Sequence, residues 1–509
     1  MDATELMLPA QDQRLTSRVR THGLWLAPAL GIAAWWLAPS NMNPLAARLF
    51  ALLISVLMLW LTAALPVAVT ALLAPALLAV LGIVPTERAF LAFGHPVLIM
   101  VLAAQLLAMA AERSRLDRAL AVRLLPRRGQ NAELSLLSTT IATMLMAGWL
   151  ARTATTAMMV PVVRATVDRL GPRAQAAGLM GISFATALGA MLTPIGSAAN
   201  LLAIAILASH GHRDLPLLLW TLLALPLVFV VLALWTLICM AILRKERKFQ
   251  PASVFLTRGL TPPPTALNLA DLETPAALDR GQWGTLGILA VAAIGWMLPG
   301  ALDLLIGPQA RLTLTVHRHG GAAVTAALAM AGLFMLPAAP KLLTNKRIQQ
   351  PILTWPQAAQ VDWSTVLLLG GALSLADQAF ATGLSAWLGE FVLKITFIHS
   401  GLALVWLFAL ATVLLAQWVP ATAVAALLCP LAVMSAQQLG LSPVAPCVVV
   451  GLLASMGLTL PLSKPSNAVV FSTGLVSRTT LMRLALPLDI SAAVLGAPCV
   501  WWATRALGL

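Results

Sequence analysis

The sequence predicts an all-α protein that crosses a membrane many times. Hydrophobic residues occupy 60% of its 509 positions and charged residues only 10%, whereas soluble domains contain about 25% charged residues. Apolar runs of about 18 or more residues recur along the chain, and each can span roughly 30 Å of hydrocarbon. A transmembrane β-barrel is excluded because its segments would be about ten residues long and would alternate in polarity.

The apolar runs predict about eleven transmembrane helices and two re-entrant hairpins. The expected spans of the first half are 22–40, 46–64, 67–84, 97–112, a hairpin over 133–170, an interrupted span over 175–209, and 215–243. The expected spans of the second half are 283–306, 320–338, 363–380, a hairpin over 401–440, an interrupted span over 443–475, and 483–506.

These elements divide the chain into four parts. A cytoplasmic N-terminal tail, 1–21, precedes the first half, 22–243. A linker, 244–280, is rich in proline and charge, which is typical of a connection outside the membrane, and the second half is 281–509. The tail lacks the apolar region of a cleavable signal peptide, so we expect the first span to direct insertion.

The basic residues predict the orientation. With the N-terminus inside, cytoplasmic loops hold 23 of the 32 Lys and Arg residues and external loops hold seven, in agreement with the positive-inside rule. Both sides of 133–170 must then be cytoplasmic, so this segment should enter the membrane and return as a hairpin buried in protein. The net charge of +14 is explained by these loops, and no nucleic-acid partner is expected. We expect a bacterial inner (plasma) membrane protein.

Two motifs occur twice at nearly the same offset. TATTAMMVP, 153–161, and TAVAALLCP, 422–430, share the pattern T-A-x-x-A-x-x-x-P and lie 269 positions apart. TPIGSAAN, 193–200, and LPLSKPSN, 460–467, both interrupt an apolar span and lie 267 positions apart. An odd number of crossings between the copies would invert the second copy. Inverted repeats with broken helices indicate a transporter whose site lies near the bilayer midplane, and half-helix N-termini favour an anion there.

At these motifs the sequence resembles the divalent anion/sodium symporter family, the dicarboxylate, citrate and sulfate carriers of the ion transporter superfamily. The segments GHPVLIMVLAAQLLAMAAERSRLDRALAVRLL, 94–125, and DWSTVLLLGGALSLADQAFATGLSAWL, 362–388, also resemble family segments. The resemblance extends from about Leu65 to the C-terminus. It implies a homodimer in which a transport part moves like an elevator against a scaffold part.

The hairpin tips depart from the family pattern. The resemblance implies a Ser-Asn-Thr motif at each tip, which binds substrate carboxylates and helps to form two sodium sites. Here the tips read ART, 151–153, and PAT, 420–422, so the serines and asparagines are missing. In the second broken helix Lys464 replaces a small hydroxyl residue, whereas Asn200 and Asn467 are kept.

These residues predict the site and its ion dependence. The predicted substrate-binding residues are Thr153, Arg152, Asn200, Thr422, Asn467, Lys464, Ser197 and Ser466. Loss of Ser and Asn oxygens weakens the coordination of a hard cation, while Arg152 and Lys464 supply one fixed positive charge per repeat. We therefore expect a secondary carrier of small divalent anions, preferentially C4-dicarboxylates, in which the two cations replace sodium. An empty site with two unpaired cations should cross the membrane poorly, so exchange of anions is expected.

Other interpretations remain open at this point. The protein could be a sodium-coupled dicarboxylate or sulfate symporter of the same fold. Arg152 could pair with Asp377 or Glu112, and Lys464 could extend to the cytoplasmic interface. The threonines and asparagines could cap helices.

An enzyme is not expected. The sequence contains no HExxH motif and no P-loop, and none of its histidines falls in the middle of an expected span. The four cysteines lack CxxC spacing, so neither a metal site nor another cofactor is predicted.

Overall fold

The computed structural model of the chain describes most of its residues. The described ranges are 10–124, 132–167, 171–209, 215–247, 277–307, 309–337, 341–343, 346–348, 351–396, 398, 400–461 and 463–509. The predicted linker, 244–280, falls largely outside these ranges. The N-terminal tail predicted over 1–21 is partly described, and a helix already begins within it at Ala10.

The helices account for nearly all of the described structure. Those of the first half are α1 (Ala10–Trp36), α2 (Pro44–Thr62), α3 (Val67–Val80), α4 (Thr86–Leu91), α5 (Pro96–Arg113), α6 (Leu116–Leu124), α7 (Ala132–Ala147), α8 (Arg152–Val167), α9 (Pro172–Leu192), α10 (Ala198–Ser209) and α11 (Leu217–Arg247). Those of the second half are α12 (Arg280–Leu305), α13 (Arg311–His319), α14 (Ala322–Met335), α15 (Trp355–Ala358), α16 (Trp363–Ala381), α17 (Leu384–Thr396), α18 (Gly401–Leu415), α19 (Ala421–Gln438), α20 (Val444–Leu453), α21 (Pro465–Ser472) and α22 (Arg478–Ala506).

The all-helical prediction is confirmed. Within the described ranges, eight helices are long and apolar enough to cross a membrane. A short antiparallel ladder of β1 (Lys341–Leu343) and β2 (Lys346–Ile348) is a local exception between α14 and α15. The protein is therefore an integral membrane protein built from helices.

Two helix–turn–helix units occupy the segments predicted as hairpins. The first joins α7 to α8 through residues 148–151, and the second joins α18 to α19 through residues 416–420. In both units the second helix begins at the predicted tip, at Arg152 and at Ala421. Their re-entry into the membrane remains a prediction.

Both interrupted spans are broken helices. Helix α9 ends at Leu192, a short 3₁₀ turn covers Pro194–Gly196, and α10 starts at Ala198. Helix α20 ends at Leu453, and α21 starts at Pro465; the described residues between them, 454–461 and 463–464, lie outside helices. We call residues 193–197 the first break and residues 454–464 the second break.

Matching helices of the two halves make matching contacts. Helix α9 packs against α7, α8 and α11, while α20 packs against α18, α19 and α22. Helix α8 also contacts α21 of the other half, and α19 contacts α10. Helices α11 and α22 pack against each other. This is the contact pattern expected of two related copies, although the inversion of one copy relative to the other stays a prediction.

Helix α9 lies in the middle of this arrangement, with 89% of its most apolar stretch buried. Its small residues allow the neighbouring helices to approach closely, as is common between membrane helices. A Cβ at Gly189 would overlap the carbonyl oxygen of Met144 on α7. Close packing at this point holds the first hairpin against the end of α9, next to the first break.

Candidate functional site

Arg152 is the first residue of α8 and lies at the tip of the first hairpin. Its side chain is partly exposed. Within the described ranges, the guanidinium makes no hydrogen bond, and no ion pair within 4 Å includes it. The alternative in which Arg152 pairs with Asp377 or Glu112 is therefore not supported. A cation without a partner is available to bind an anion.

The two tip threonines occupy the same position in their helices. Thr153 is the second residue of α8 and Thr422 the second residue of α19. Thr153 is exposed and Thr422 is buried. The N-cap of α19 is Pro420, which makes no side-chain capping bond, so Thr422 does not cap the helix. Thr155, not among the predicted site residues, has a buried hydroxyl without a partner in the described structure.

Asn200 holds the first break together. Its side-chain nitrogen Nδ2 donates hydrogen bonds to the carbonyl oxygens of Ala190, at 2.8 Å, and Thr193, at 2.9 Å. It thus satisfies carbonyls that the end of α9 leaves free, which differs from the N-capping role considered from the sequence. The hydroxyl of Thr193 donates to the carbonyl oxygen of Gly148 in the hairpin turn, at 2.5 Å. The first break is therefore bonded to the first hairpin tip.

Asn467 binds backbone carbonyls of the second break, as Asn200 does in the first. Its Nδ2 donates to the carbonyl oxygens of Leu458, at 3.1 Å, and Leu460, at 3.0 Å. Asn200 and Asn467 are each the third residue of their half-helix, and each bonds the carbonyl seven positions upstream. The two kept asparagines thus close equivalent breaks in equivalent ways.

Lys464 directly precedes α21 and is almost fully buried, with 6% of its surface exposed. Its Nζ donates to the carbonyl oxygen of Ala454 at 2.9 Å, and Ala454 is the C-cap of α20. A cation at a helix C-terminus is stabilised by the negative end of the helix dipole. Lys464 therefore turns back into the second break and does not extend to the cytoplasmic interface, the alternative considered from the sequence.

Asp489 on α22 is a buried carboxylate that the sequence analysis did not identify. It is 1% exposed. Its two oxygens accept hydrogen bonds from the backbone nitrogens of Gly457, Leu458 and Thr459, at 3.0 to 3.3 Å. The Thr459 hydroxyl, at 2.7 Å, and the Gln417 side-chain amide, at 2.9 Å, also donate to it. Asp489 therefore joins the second break to the tip of the second hairpin.

The structure brings several of the predicted residues together across the two halves. Arg152 and Lys464 lie close enough for their charges to interact, as α8 packs on α21. The helices that carry Thr422 and Asn200, α19 and α10, pack on each other. Ser183 on α9, also missed from the sequence, donates to the Asn467 side-chain oxygen and lies 3.4 Å from the Ser466 hydroxyl.

The chemistry of these groups fits a small anion. Hydroxyl groups, helix N-termini and positive charges all stabilise carboxylate or sulfate oxygens, and a guanidinium can bind such groups with two parallel hydrogen bonds. Within the described ranges, no cluster of three or more His, Cys, Asp or Glu side chains is placed to hold a metal ion. The tips and breaks therefore present hydroxyl groups and helix N-termini near the side chains of Arg152 and Lys464, a combination that suits an anion.

Oxygen ligands for sodium are also present near both breaks. Among the buried side-chain oxygens that have no hydrogen-bond partner in the described structure, four lie in or beside the breaks: those of Ser197, Asn200, Gln417 and Ser455. Oxygen is the ligand that hard cations prefer. The residues thus fit sodium in their donor atoms, whereas the buried ammonium of Lys464 disfavours a second cation beside it.

Comparisons with known proteins agree with these features. Residues 23–507 match the family described as the sodium:sulfate symporter transmembrane region. A protein of Haemophilus influenzae described as an uncharacterized transporter is 26% identical over 451 residues, which cover 87% of this chain and 89% of that protein. The sodium-dependent dicarboxylate transporter SdcS of Staphylococcus saprophyticus is 25% identical over 469 residues, with coverage of 89% and 86%.

Two solved structures have a similar fold. The YdaH transporter of Alcanivorax borkumensis matches with a TM-score of 0.53 at 15% identity, covering 97% of this chain and 98% of that one. MtrF of Neisseria gonorrhoeae matches with a TM-score of 0.56 at 14% identity, covering 92% and 97%. At this identity the likeness extends to the fold alone.

Proposed function

Because the chain belongs to the sodium:sulfate symporter family, we propose that it is a secondary transporter of small divalent anions, with C4-dicarboxylates as its preferred substrates. It is a transporter and not an enzyme. The substrate class is supported by the SdcS relatives, which are named dicarboxylate transporters, and by the hydroxyl groups and cations at the tips and breaks. Arg152, which has no partner among the described residues, would contact a carboxylate directly.

We propose further that Arg152 and Lys464 replace bound sodium ions. The observation that carries this proposal is the hydrogen bond from the Lys464 ammonium to the Ala454 carbonyl. A backbone carbonyl exposed at a helix break is the kind of oxygen that coordinates a cation in a transporter. The ammonium already occupies this carbonyl, and it cannot dissociate from the chain.

Exchange of one anion for another follows from the same charges. Moving the empty carrier would carry the Arg152 guanidinium, which has no ion-pair partner in the described structure, through the bilayer, and this costs free energy. A bound carboxylate would pair with this guanidinium, so the loaded carrier would cross more readily. The carrier would then return only with another anion in the site.

Sodium-coupled symport by the same fold is the second candidate. It is favoured by the oxygens of Ser197 and Asn200, in and beside the first break, which have no hydrogen-bond partner in the described structure, and by relatives that are named sodium-dependent. In that case Arg152 and Lys464 would contact substrate or stabilise the fold, and sodium would bind to these oxygens. The two candidates differ in their requirement for external sodium.

The proposal also includes the membrane, the oligomeric state and the orientation of the carrier. We place it in a bacterial inner membrane as a homodimer with a cytoplasmic N-terminus. The curated relatives named above come from bacteria, and the lysine and arginine residues are concentrated in the loops assigned to the cytoplasm.

Uptake of labelled succinate into proteoliposomes tests the function. External sodium is compared with choline, and liposomes with internal unlabelled succinate are compared with empty ones. Uptake in choline that requires internal succinate is expected. Uptake that disappears without sodium would instead support the symporter.

Variants of the two cations complete this experiment. Arg152→Asn and Lys464→Thr should each lower uptake in choline at least tenfold. The matched controls are Arg311→Asn and Lys394→Thr, which change exposed residues and should leave uptake unchanged. Equal uptake by Lys464→Thr and the unaltered protein in choline would contradict the replacement of sodium by Lys464.

A further inference from the structure

The charged residues are distributed unequally between the two repeats. Residues 401–475, which contain the second hairpin and the second broken helix, include a single charged residue, Lys464. Asp489 on α22 lies near Lys464, because Asp489 accepts a hydrogen bond from the Gly457 N–H and Cε of Lys464 lies 3.3 Å from the position of a Cβ added at Gly457. In the first repeat, Arg152 at the tip has no ion-pair partner in the described structure. Of the two cations proposed to act at the site, Lys464 thus lies near an anion, and Arg152 has none within ion-pair distance in the described structure.

The hydrogen bonds of Asp489 show that it is held as a carboxylate. All of its partners offer hydrogens: three backbone N–H groups, the Thr459 hydroxyl and the Gln417 amide. Donors directed at both oxygens stabilise the negative form. The three backbone N–H groups can only donate, and together they reach both oxygens. We therefore assign a negative charge to Asp489.

From this arrangement we infer that Asp489 makes the site discriminate against trivalent anions relative to divalent ones. The inference rests on the proposed anion transport. Arg152 and Lys464 contribute two positive charges and Asp489 removes one, so the fixed charge near the site is +1. Such a site leaves one net negative charge on a bound dianion and two on a bound trianion. Asp489 thereby favours divalent over trivalent anions, and it acts through charge without contacting the substrate.

Substitution of Asp489 by Asn tests this inference, because the amide keeps the size and removes the charge. The probes are succinate, a dianion, and tricarballylate, a trianion with the same kind of carboxylate groups. We expect D489N to increase the ratio of tricarballylate affinity to succinate affinity about tenfold. This is the effect of one unit charge at about 10 Å in a medium with a dielectric constant of about 20.

Two further variants separate charge from structure. Asp489→Glu keeps the charge, and Gln417→Leu removes one hydrogen bond to Asp489 without changing any charge. Both should keep the affinity ratio of the unaltered protein, even if they lower both affinities. A purely structural role for Asp489 would lower both affinities in D489N and leave the ratio unchanged, and this result would overturn the inference.

A charge-compensated pair keeps the test decisive if D489N alone fails to fold. Lys464→Gln should lower the ratio about tenfold, and the double variant K464Q/D489N should restore it, because its total fixed charge equals that of the unaltered protein. A ratio that does not return in the double variant would also overturn the inference.

The ratio is measured both from uptake and from ligand-induced thermal stabilisation of the purified protein. Absence of transport by the unaltered protein would contradict the proposed function. If the protein transports succinate but the ratio of tricarballylate affinity to succinate affinity is the same in D489N and the unaltered protein, only the inference about valence is contradicted.

Discussion

Gly457 shows how a single residue shapes the second break. Its φ is +102°, a conformation that side chains other than glycine rarely adopt, and a Cβ at this position would overlap the carbonyl oxygen of Ala416. Gly457 also supplies one of the N–H groups that bind Asp489. The absence of a side chain allows the break to approach the second hairpin tip.

Gly457→Ala should therefore destabilise the protein and impair transport. Backbone strain of this kind costs about 1–3 kcal/mol, and the overlap with Ala416 adds to it. Thermal unfolding of the purified protein and succinate uptake would measure both effects.

Gly474→Ala is the matched control for this prediction. Gly474 also has a positive φ, +70°, but no atom lies within 4 Å of the position of its added Cβ. It should cost only the backbone strain, about 1–2 kcal/mol, and keep transport. Equal losses in the two variants would show that contact with Ala416 is unimportant.

At the same scale, the sequence identified some site residues and missed others for a physical reason. Asn200 and Asn467 were found because they end a motif that occurs twice, and the structure gives them equivalent hydrogen bonds. Asp489 and Ser183 belong to no repeated motif. Their roles depend on which helix packs beside each break, and this is a tertiary property that local sequence does not contain.

Among the elements, the two breaks are attached to their hairpins by different chemistry. In the first repeat a neutral hydrogen bond joins Thr193 to Gly148. In the second repeat a carboxylate, Asp489, joins the break to Gln417. Hydrogen bonds to charged groups are roughly twice as strong as neutral ones, so the first hairpin tip should open more easily than the second.

Thr193→Val tests the hydrogen bond that attaches the first break to the first hairpin. The change leaves the Gly148 carbonyl without the hydroxyl that donates to it, which costs about 1–3 kcal/mol for a buried group. Hydrogen exchange measured by mass spectrometry should become faster at the hairpin turn, residues 148–151, and stay unchanged at residues 416–420.

Thr221→Val serves as the control for this change. The Thr221 hydroxyl bonds only the carbonyl of Leu217 within its own helix, α11. Exchange at both hairpin turns should be unaffected. Faster hydrogen exchange at both turns in Thr193→Val would indicate general destabilisation of the protein. It would contradict a local role of the Thr193–Gly148 hydrogen bond at the first hairpin turn.

Long elements were predictable and short ones were not. The expected spans 97–112 and 363–380 correspond closely to α5 (Pro96–Arg113) and α16 (Trp363–Ala381), because membrane insertion requires apolar runs of that length. Short helices such as α4, α13 and α17 were not predicted. They are too short for such runs and depend on packing against their neighbours, which the sequence pattern does not reveal.

For the whole molecule, the orientation in the membrane is the prediction with the widest consequences. The positive-inside rule assigns the loop before α13 to the outside and the start of α22 to the cytoplasm. Gln309 and Thr479 lie in these two places, and both are exposed. Both positions belong to the second half, so their sides of the membrane report whether the number of crossings between them is odd.

Single cysteines at these positions test the orientation in intact cells. Gln309→Cys should react with a membrane-impermeant maleimide without permeabilisation, and Thr479→Cys only after it. The background carries Cys499→Ser, because the other three native cysteines are buried. Labelling of both positions from outside would contradict the odd number of crossings predicted between them.

The bond between Lys464 and the Ala454 carbonyl has a consequence for the energy supply of the cell. A dissolved ion that binds and is released drives accumulation with the energy stored in its own gradient. The Lys464 ammonium is part of the chain and is never released. It therefore has no concentration gradient across the membrane and cannot supply energy for accumulation. Under the proposed exchange, the carrier could only bring the inside-to-outside concentration ratios of its different anions to the same value. Every anion imported would require the export of another.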